Sequence, residues 1–190
     1  MAKHLVLVAG NIGAGKTSLT ERMGQRLGWR SAYESVADNP YLADFYGEMH
    51  AWAFHLQIFF LGHRADQYLQ AARDPRSAIL DRSIYEDFHI FTRALHHMGN
   101  MAERDYLSYH RLFDLVVGSL PRPDLLIYLG ASFPVSTARR RLDWQEREYQ
   151  EQLRRLAHAR DHAHLFIDTD NLTPDQVLQK ALAFLESIHK

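Results

Sequence analysis

A glycine-rich segment that ends in Lys-Thr gives the clearest chemical signal in the sequence. Its residues are Gly10, Asn11, Ile12, Gly13, Ala14, Gly15, Lys16 and Thr17, followed by Ser18. Between a strand and a helix, G-x-x-x-x-G-K-[ST] lets backbone N–H groups surround phosphates, while the lysine neutralises β- and γ-oxygens and the hydroxyl holds Mg²⁺. We therefore expect these residues to bind the phosphates of a nucleotide together with Mg²⁺, and ATP is the nucleotide of the leading hypothesis below. The alternative is a glycine-rich turn with a surface lysine.

Two carboxylates follow predicted strands, at the sheet edge where α/β folds place their ligands. Asp81 would hold the Mg²⁺ shell together with Thr17, and the alternative for it is a helix cap. Arg82 comes next and would spread its guanidinium over a transferring phosphoryl group. Glu34 follows an earlier strand.

Glu34 is the candidate general base. A hydroxyl acceptor must lose its proton as the phosphorus–oxygen bond forms, and a nearby carboxylate can take it. The same charge would repel a phosphorylated acceptor, which favours a neutral nucleoside or sugar over a nucleoside monophosphate. The alternative for Glu34 is a solvated loop glutamate.

Polar residues on a long apolar helix could read a base. Gln57 and Arg64 share one helix face, and Gln57 lies in the run Leu-Gln-Ile-Phe-Phe, where an amide needs a polar partner. A purine edge could pair with the amide, and a ring nitrogen could accept a hydrogen bond from the arginine. An exocyclic amine could donate a hydrogen bond to Asp87. The alternative is a helix–helix hydrogen bond for Gln57 and a surface ion pair between Arg64 and Asp87.

The spacing of apolar residues predicts one α/β domain over residues 1–190, with a five-stranded parallel sheet flanked by helices. The predicted strands are His4–Ala9, Trp29–Tyr33, Ser77–Leu80, Leu125–Leu129 and Leu165–Ile167. Helices are predicted after the phosphate loop as far as Gly28, from Asn39-Pro40, from Met49 to about Ala72, and from Thr173-Pro174. Two further apolar stripes, over 88–98 and 106–120, are interpreted as core.

The composition excludes several classes of protein. The 190 residues carry 22 basic and 23 acidic side chains and a formal charge of −1, which gives no electrostatic reason to expect a nucleic-acid partner. No cysteine is present, so thiolate metal sites and disulfides are excluded. No apolar run approaches the ~18 residues of a membrane span, and we expect a cytoplasmic protein without a membrane partner.

Several motifs together resemble the deoxyribonucleoside kinase family, especially its bacterial deoxyadenosine and deoxyguanosine kinases. They are the phosphate loop, Glu34 to Leu42 (Glu-Ser-Val-Ala-Asp-Asn-Pro-Tyr-Leu), Phe54 to Leu61 (Phe-His-Leu-Gln-Ile-Phe-Phe-Leu) and Asp81 to Asp87 (Asp-Arg-Ser-Ile-Tyr-Glu-Asp). The resemblance spans nearly the whole chain. It implies a P-loop kinase fold with a short lid, and a homodimer.

The resemblance also implies roles for single residues. Glu34 matches the residue that contacts the nucleoside 5′-hydroxyl, and Arg82 matches the arginine that bridges this hydroxyl and the phosphates. Tyr46 falls where the family binds the sugar 3′-hydroxyl. Gln57, Arg64 and Asp87 match base-reading positions.

The predicted lid departs from the family pattern. Alignment without gaps places Arg139 on a catalytic arginine and Glu148 on a glutamate that touches the 3′-hydroxyl. Asp143-Trp144-Gln145 stand where relatives carry an Arg-Gly-Arg cluster. The arginines nearest to this position, Arg140, Arg141 and Arg147, are the candidates to replace it.

The leading hypothesis is MgATP-dependent 5′-phosphorylation of a purine deoxyribonucleoside in nucleotide salvage. Resemblance favours deoxyadenosine, with deoxyguanosine or deoxycytidine as alternatives. Two other hypotheses remain open: a nucleoside monophosphate kinase, and a regulatory module that binds ATP without catalysis.

Overall fold

A computed structural model describes residues 3–10, 13–33, 39–131 and 163–188. The chain divides into two compact units. The first unit comprises Met1–Tyr33, Ala71–Ser83 and Arg122–Lys190, and the second comprises Glu34–Gln70 and Ile84–Pro121. Each unit is compact by itself, and one domain over residues 1–190 stays a prediction.

The elements follow the alternating order that the sequence predicts. The strands are β1 (Leu5–Gly10), β2 (Arg30–Ala32), β3 (Ala78–Asp81), β4 (Leu125–Gly130) and β5 (Ala163–Asp168). The helices are α1 (Lys16–Leu27), α2 (Leu42–Gly47), α3 (Met49–Arg73), α4 (Ile84–Glu86), α5 (Arg93–His97), α6 (Glu103–Ser119) and α7 (Pro174–Ser187). A π-helical turn (Asp87–Thr92) joins α4 to α5.

The first unit is built on a five-stranded sheet with the order β2-β3-β1-β4-β5, in which all neighbouring strands are parallel. β1, β3 and β4 are buried along their whole length, which explains their almost uninterrupted apolar sequences. The predicted fold class is therefore confirmed. Every predicted strand is present, with ends shifted by no more than about two residues.

Helices α1 and α7 pack against each other and contribute to the core of this unit. Val8, Met23, Ile127 and Ala181 belong to that core and are fully or almost fully buried. As predicted, α1 ends at Gly28, whose left-handed backbone (φ 66°) caps the helix. The predicted start of α7 is also confirmed, because Thr173 and Gln176 form a capping box.

The predicted helix start at Asn39-Pro40 is wrong. The Asn39 side chain accepts a hydrogen bond from the Tyr41 N–H at 2.9 Å, and α2 begins only at Leu42. Asparagine and proline are as typical of a turn as of a helix start, and the side chain here stabilises a turn.

The second unit is helical. α6 buries Tyr109, Phe113 and Val117, so these members of the 106–120 stripe are confirmed as core. Leu115 of the same helix is 70% exposed. The stripe over 88–98 does not form one uniform α-helix, because the π-helical turn interrupts it and turns Asp87, Phe88 and Thr92 inward.

The long helix α3 agrees with its predicted bounds. Among the described residues, no helix combines the length and apolar character that a membrane crossing requires.

Candidate active site

The phosphate loop lies between β1 and α1, as the motif requires. Gly10 ends β1 with φ 153°, and a Cβ there would lie 2.3 Å from the Leu129 carbonyl oxygen, so a side chain is excluded. Gly13 and Gly15 have left-handed backbones (φ 83° and 88°), which glycine adopts at little cost. Ala14 is buried and Ser18 half-buried in the first turn of α1. The glycines of the motif are therefore needed for this backbone path.

Lys16, Thr17 and Asp81 form the polar centre of the first unit. The Lys16 Nζ donates to the Gly10 carbonyl at 2.6 Å, and the Thr17 hydroxyl donates to Asp81 Oδ2 at 2.5 Å. Asp81 Oδ1 is buried and has no hydrogen-bond partner among the described residues. Mg²⁺ prefers hard oxygen ligands, and here a hydroxyl lies beside a carboxylate oxygen without a hydrogen-bond partner among the described residues. Thr17 and Asp81 therefore fit that ion.

Arg82 has an unusual backbone. Its φ is 74°, and its N–H donates to the Val8 carbonyl at 2.9 Å, which ties the residue after β3 to β1. A non-glycine residue in the left-handed region costs about 1–2 kcal/mol and persists only where the surroundings hold it. Such strain is concentrated at functional sites, which supports a role for Arg82.

We expect Arg82→Gly to be more stable than Arg82→Ala by about 1 kcal/mol, because only the alanine keeps the strain of a Cβ at positive φ. Urea denaturation of both variants measures the difference. Both lack the guanidinium, so its lost contacts cancel in the comparison. Equal stabilities would show that the backbone relaxes to an ordinary conformation once the arginine is removed.

A buried polar cluster lies in the second unit. Arg64 Nε and Asp87 Oδ2 are 3.0 Å apart, with side chains only 4% and 5% exposed. The alternative of a surface ion pair is therefore wrong, because both side chains are buried. A buried ion pair stabilises a fold little compared with apolar residues of the same size, which favours a functional reason for its presence.

Gln57 is 3% exposed and belongs to the same cluster. Its Oε1 accepts from the Thr92 hydroxyl at 3.0 Å, so the alternative of a helix–helix hydrogen bond is present in the structure. This bond uses only the oxygen end of the amide. The Nε2 end makes no hydrogen bond to the described residues and is available to a ligand.

Comparison with known proteins settles the family. The family model for deoxynucleoside kinase matches residues 6–172. The chain belongs to the deoxynucleoside kinase family. The matched region includes the phosphate loop, Asp81, Arg82 and the buried cluster.

Named relatives agree with this membership. A deoxyadenosine/deoxycytidine kinase of Bacillus subtilis is 41% identical over 66% of this chain and 58% of its own length. A deoxyadenosine kinase of Dictyostelium discoideum is 33% identical over 96% of this chain and 80% of its own length. Other relatives are named deoxyguanosine kinases. The match therefore spans less than two thirds of the Bacillus subtilis relative, and the relatives differ in the base they are named for.

A solved structure shares the fold of this chain. The deoxyadenosine kinase of M. mycoides, determined with the products dCMP and a flexible dCDP bound, superposes with a TM-score of 0.77 at 26% identity. The match covers 96% of this chain and 99% of that one. The P-loop kinase fold expected from the resemblance is confirmed.

Several predicted site residues lie outside the described residues. They are Asn11, Ile12, Glu34, Arg139 and Glu148. Tyr46 is described, and 69% of it is exposed on α2. The roles of all six stay predictions.

Sequence reasoning did not assign Thr92 or Tyr109 to this cluster, and it interpreted Tyr109 only as a member of the core stripe over 106–120. Both are completely buried. Burial, and next the negative charge of Asp87, raises the pKa of the Tyr109 hydroxyl, which therefore stays protonated. Thr92 lies five residues after Asp87, and residues at this spacing do not share a face of an α-helix. No signal in the sequence therefore marks Thr92 as a member of the cluster.

Proposed function

We propose that this chain transfers the γ-phosphoryl group of ATP to the 5′-hydroxyl of a purine deoxyribonucleoside, with deoxyadenosine preferred. The observation that carries this proposal is the buried Gln57, Arg64 and Asp87 cluster in a chain that also has a phosphate loop. A protein that only holds ATP has no need of a second set of buried hydrogen-bonding groups. Family membership supports the same reaction class.

The phosphate loop and Lys16 would bind the triphosphate, and α1 would direct its positive N-terminal end at it. Thr17 and Asp81 would hold Mg²⁺, which when bound neutralises charge on the β- and γ-oxygens. Arg82 would stabilise the charge that develops on the transferring group, and Arg139 is proposed for the same purpose from the lid.

Glu34 would act on the acceptor. Its carboxylate takes the proton of the 5′-hydroxyl while that oxygen forms a bond to the γ-phosphorus, and ADP leaves with the electrons of the broken bond. Tyr46 and Glu148 would bind the sugar 3′-hydroxyl. Their hydrogen bonds would orient the 5′-hydroxyl for attack, because fixing a reacting group in place lowers the entropic cost of the reaction.

The buried cluster would choose the base. Gln57 has a donor end available, and Asp87 is a carboxylate that can accept from an exocyclic amine. An amino group beside a ring acceptor is the pattern of adenine and cytosine, so these groups favour those bases over thymine. Two relatives are named for deoxyadenosine or deoxycytidine, and others are named for deoxyguanosine.

We also propose a homodimer. The outer face of α6 exposes Leu107, Leu112 and Leu115, which is an apolar strip that a second copy of the chain would cover. Light scattering across a range of protein concentrations tests this, and a monomer at every concentration would exclude it.

The experiment that tests the function is a panel of four deoxynucleosides and dAMP, each with MgATP and a coupled assay for ADP. We expect deoxyadenosine to be the best substrate. A preference for thymidine would contradict the base argument. Turnover of dAMP without turnover of deoxyadenosine would establish the monophosphate kinase, and ATP binding without any acceptor would establish the regulatory module.

The same panel with Gln57→Ala tests the cluster. The variant leaves a base edge unpaired, so we expect the KM for the preferred deoxynucleoside to rise about 10–100-fold and base choice to relax, with little change in the KM for ATP. Gln70→Ala removes an exposed amide from the same helix and is the matched control. An equal effect of Gln57→Ala on every deoxynucleoside would make Gln57 structural.

A further inference from the structure

Thr92 joins two parts of the buried cluster through one hydroxyl group. The side chain is completely buried, and its Oγ1 lies 3.0 Å from both Gln57 Oε1 and the Asp87 carbonyl oxygen. The π-helical turn creates this arrangement, because it widens the helix until residue 92 comes under the carbonyl of residue 87. π-helical turns are rare and are frequent at functional sites.

The Thr92 hydroxyl acts on one end of the Gln57 amide. An amide has an oxygen that only accepts and an NH₂ group that only donates, whereas a hydroxyl carries a single hydrogen. The end of the Gln57 amide that faces residue 92 is Oε1, and the single hydrogen of the Thr92 hydroxyl is shared between this oxygen and the Asp87 carbonyl oxygen, both of which accept. The Tyr109 hydroxyl lies beside Thr92 and stays protonated because burial raises its pKa. It therefore does not compete as an anion for the hydrogen of the Thr92 hydroxyl.

The orientation of this amide decides which purine it matches. Adenine carries an amino donor at the ring position where guanine carries a carbonyl acceptor. An amide held one way presents its donor and acceptor in one order only, and turning it over exchanges the two. A fixed amide therefore pairs with one purine and opposes the other.

We propose that Thr92 is a positioning residue that sets the choice between adenine and guanine by holding the Gln57 amide in one orientation. This inference rests on the proposed function, since it presumes that Gln57 faces the base. Thr92 acts through Gln57 and has no role in phosphoryl transfer. Loss of the Thr92 hydroxyl should therefore change base selectivity and leave ATP binding unaltered.

The test compares Thr92→Val, which keeps the shape and removes the hydroxyl, with Thr92→Ser, which keeps the hydroxyl. We expect the ratio of kcat/KM between deoxyadenosine and deoxyguanosine to fall toward one by about 3–10-fold in Thr92→Val. The KM for ATP should stay unchanged. Thr92→Ser should restore the wild-type ratio.

Thr20→Val is the matched control. Thr20 is also completely buried in a helix, and its hydroxyl has no hydrogen-bond partner among the described residues. This variant should leave the purine ratio unchanged. A Thr92→Val enzyme with the wild-type ratio would overturn the proposal, even if its melting temperature falls, because a structural role alone moves stability and not the ratio.

Two further measurements keep the test decisive. If Thr92→Val does not fold, Thr92→Ala removes the same hydroxyl from a smaller side chain, and the same change in ratio is expected. Calorimetric Kd values for the two purine deoxynucleosides test the inference without catalysis. A wild-type protein that binds them without phosphorylating either would refute the proposed function alone, whereas an active wild type with an unchanged ratio in the variant would refute the inference alone.

Discussion

Replacing Glu34 by glutamine is expected to lower turnover by about 10²–10⁴ while deoxynucleoside affinity stays within severalfold of the wild-type value. Glutamine is nearly isosteric and still hydrogen-bonds to a hydroxyl, but it cannot take the proton. The loss should therefore appear in kcat and not in KM. Steady-state kinetics with deoxyadenosine and ATP varied separately measure both constants.

Glu21→Gln is the control for this substitution. Glu21 is exposed on α1, and neutralising it makes the same change in net charge away from the proposed site. Near-normal turnover in Glu34→Gln would remove Glu34 from the role of general base. A raised KM with normal kcat would reduce it to a residue that binds substrate.

The part of this protein that follows from local sequence patterns was predictable. Gly13 and Gly15 are needed for their left-handed backbones, a local requirement that the motif itself encodes, whereas the requirement at Gly10 comes from the close approach of Leu129 on β4. Strands buried on both faces must be apolar throughout, which made β1 and β4 evident. The cap of α1 at Gly28 has the same local origin.

The part that depends on tertiary packing could not be read from the sequence. Apolar residues at helical spacing do not reveal that an extra residue is accommodated between Asp87 and Thr92, because the π-helical turn keeps the chain helical on both sides. The left-handed backbone of Arg82 accompanies a hydrogen bond to Val8 on β1, a residue that is distant in sequence. The burial of Arg64 with Asp87 is set by two segments that are distant in sequence.

Asp87→Leu is expected to destabilise the protein by about 3–5 kcal/mol, the largest effect on stability that we anticipate. The variant removes the carboxylate from the buried Arg64 guanidinium, and a buried charge without its counter-ion is costly. The free energy of unfolding in urea measures the loss. Arg22→Met, which breaks the exposed pair with Asp175, is the control and should cost no more than about 1 kcal/mol.

The double variant Arg64→Met/Asp87→Leu separates stability from recognition. Two apolar side chains of similar volume should recover most of the free energy that Asp87→Leu loses, since they remove both charges and leave nothing to solvate. The recovered fold should still fail to select deoxyadenosine, because no carboxylate remains to accept from an exocyclic amine. If the double variant instead keeps the wild-type order of substrates, the ion pair serves the fold, and the base is chosen by Gln57 and Thr92 without it.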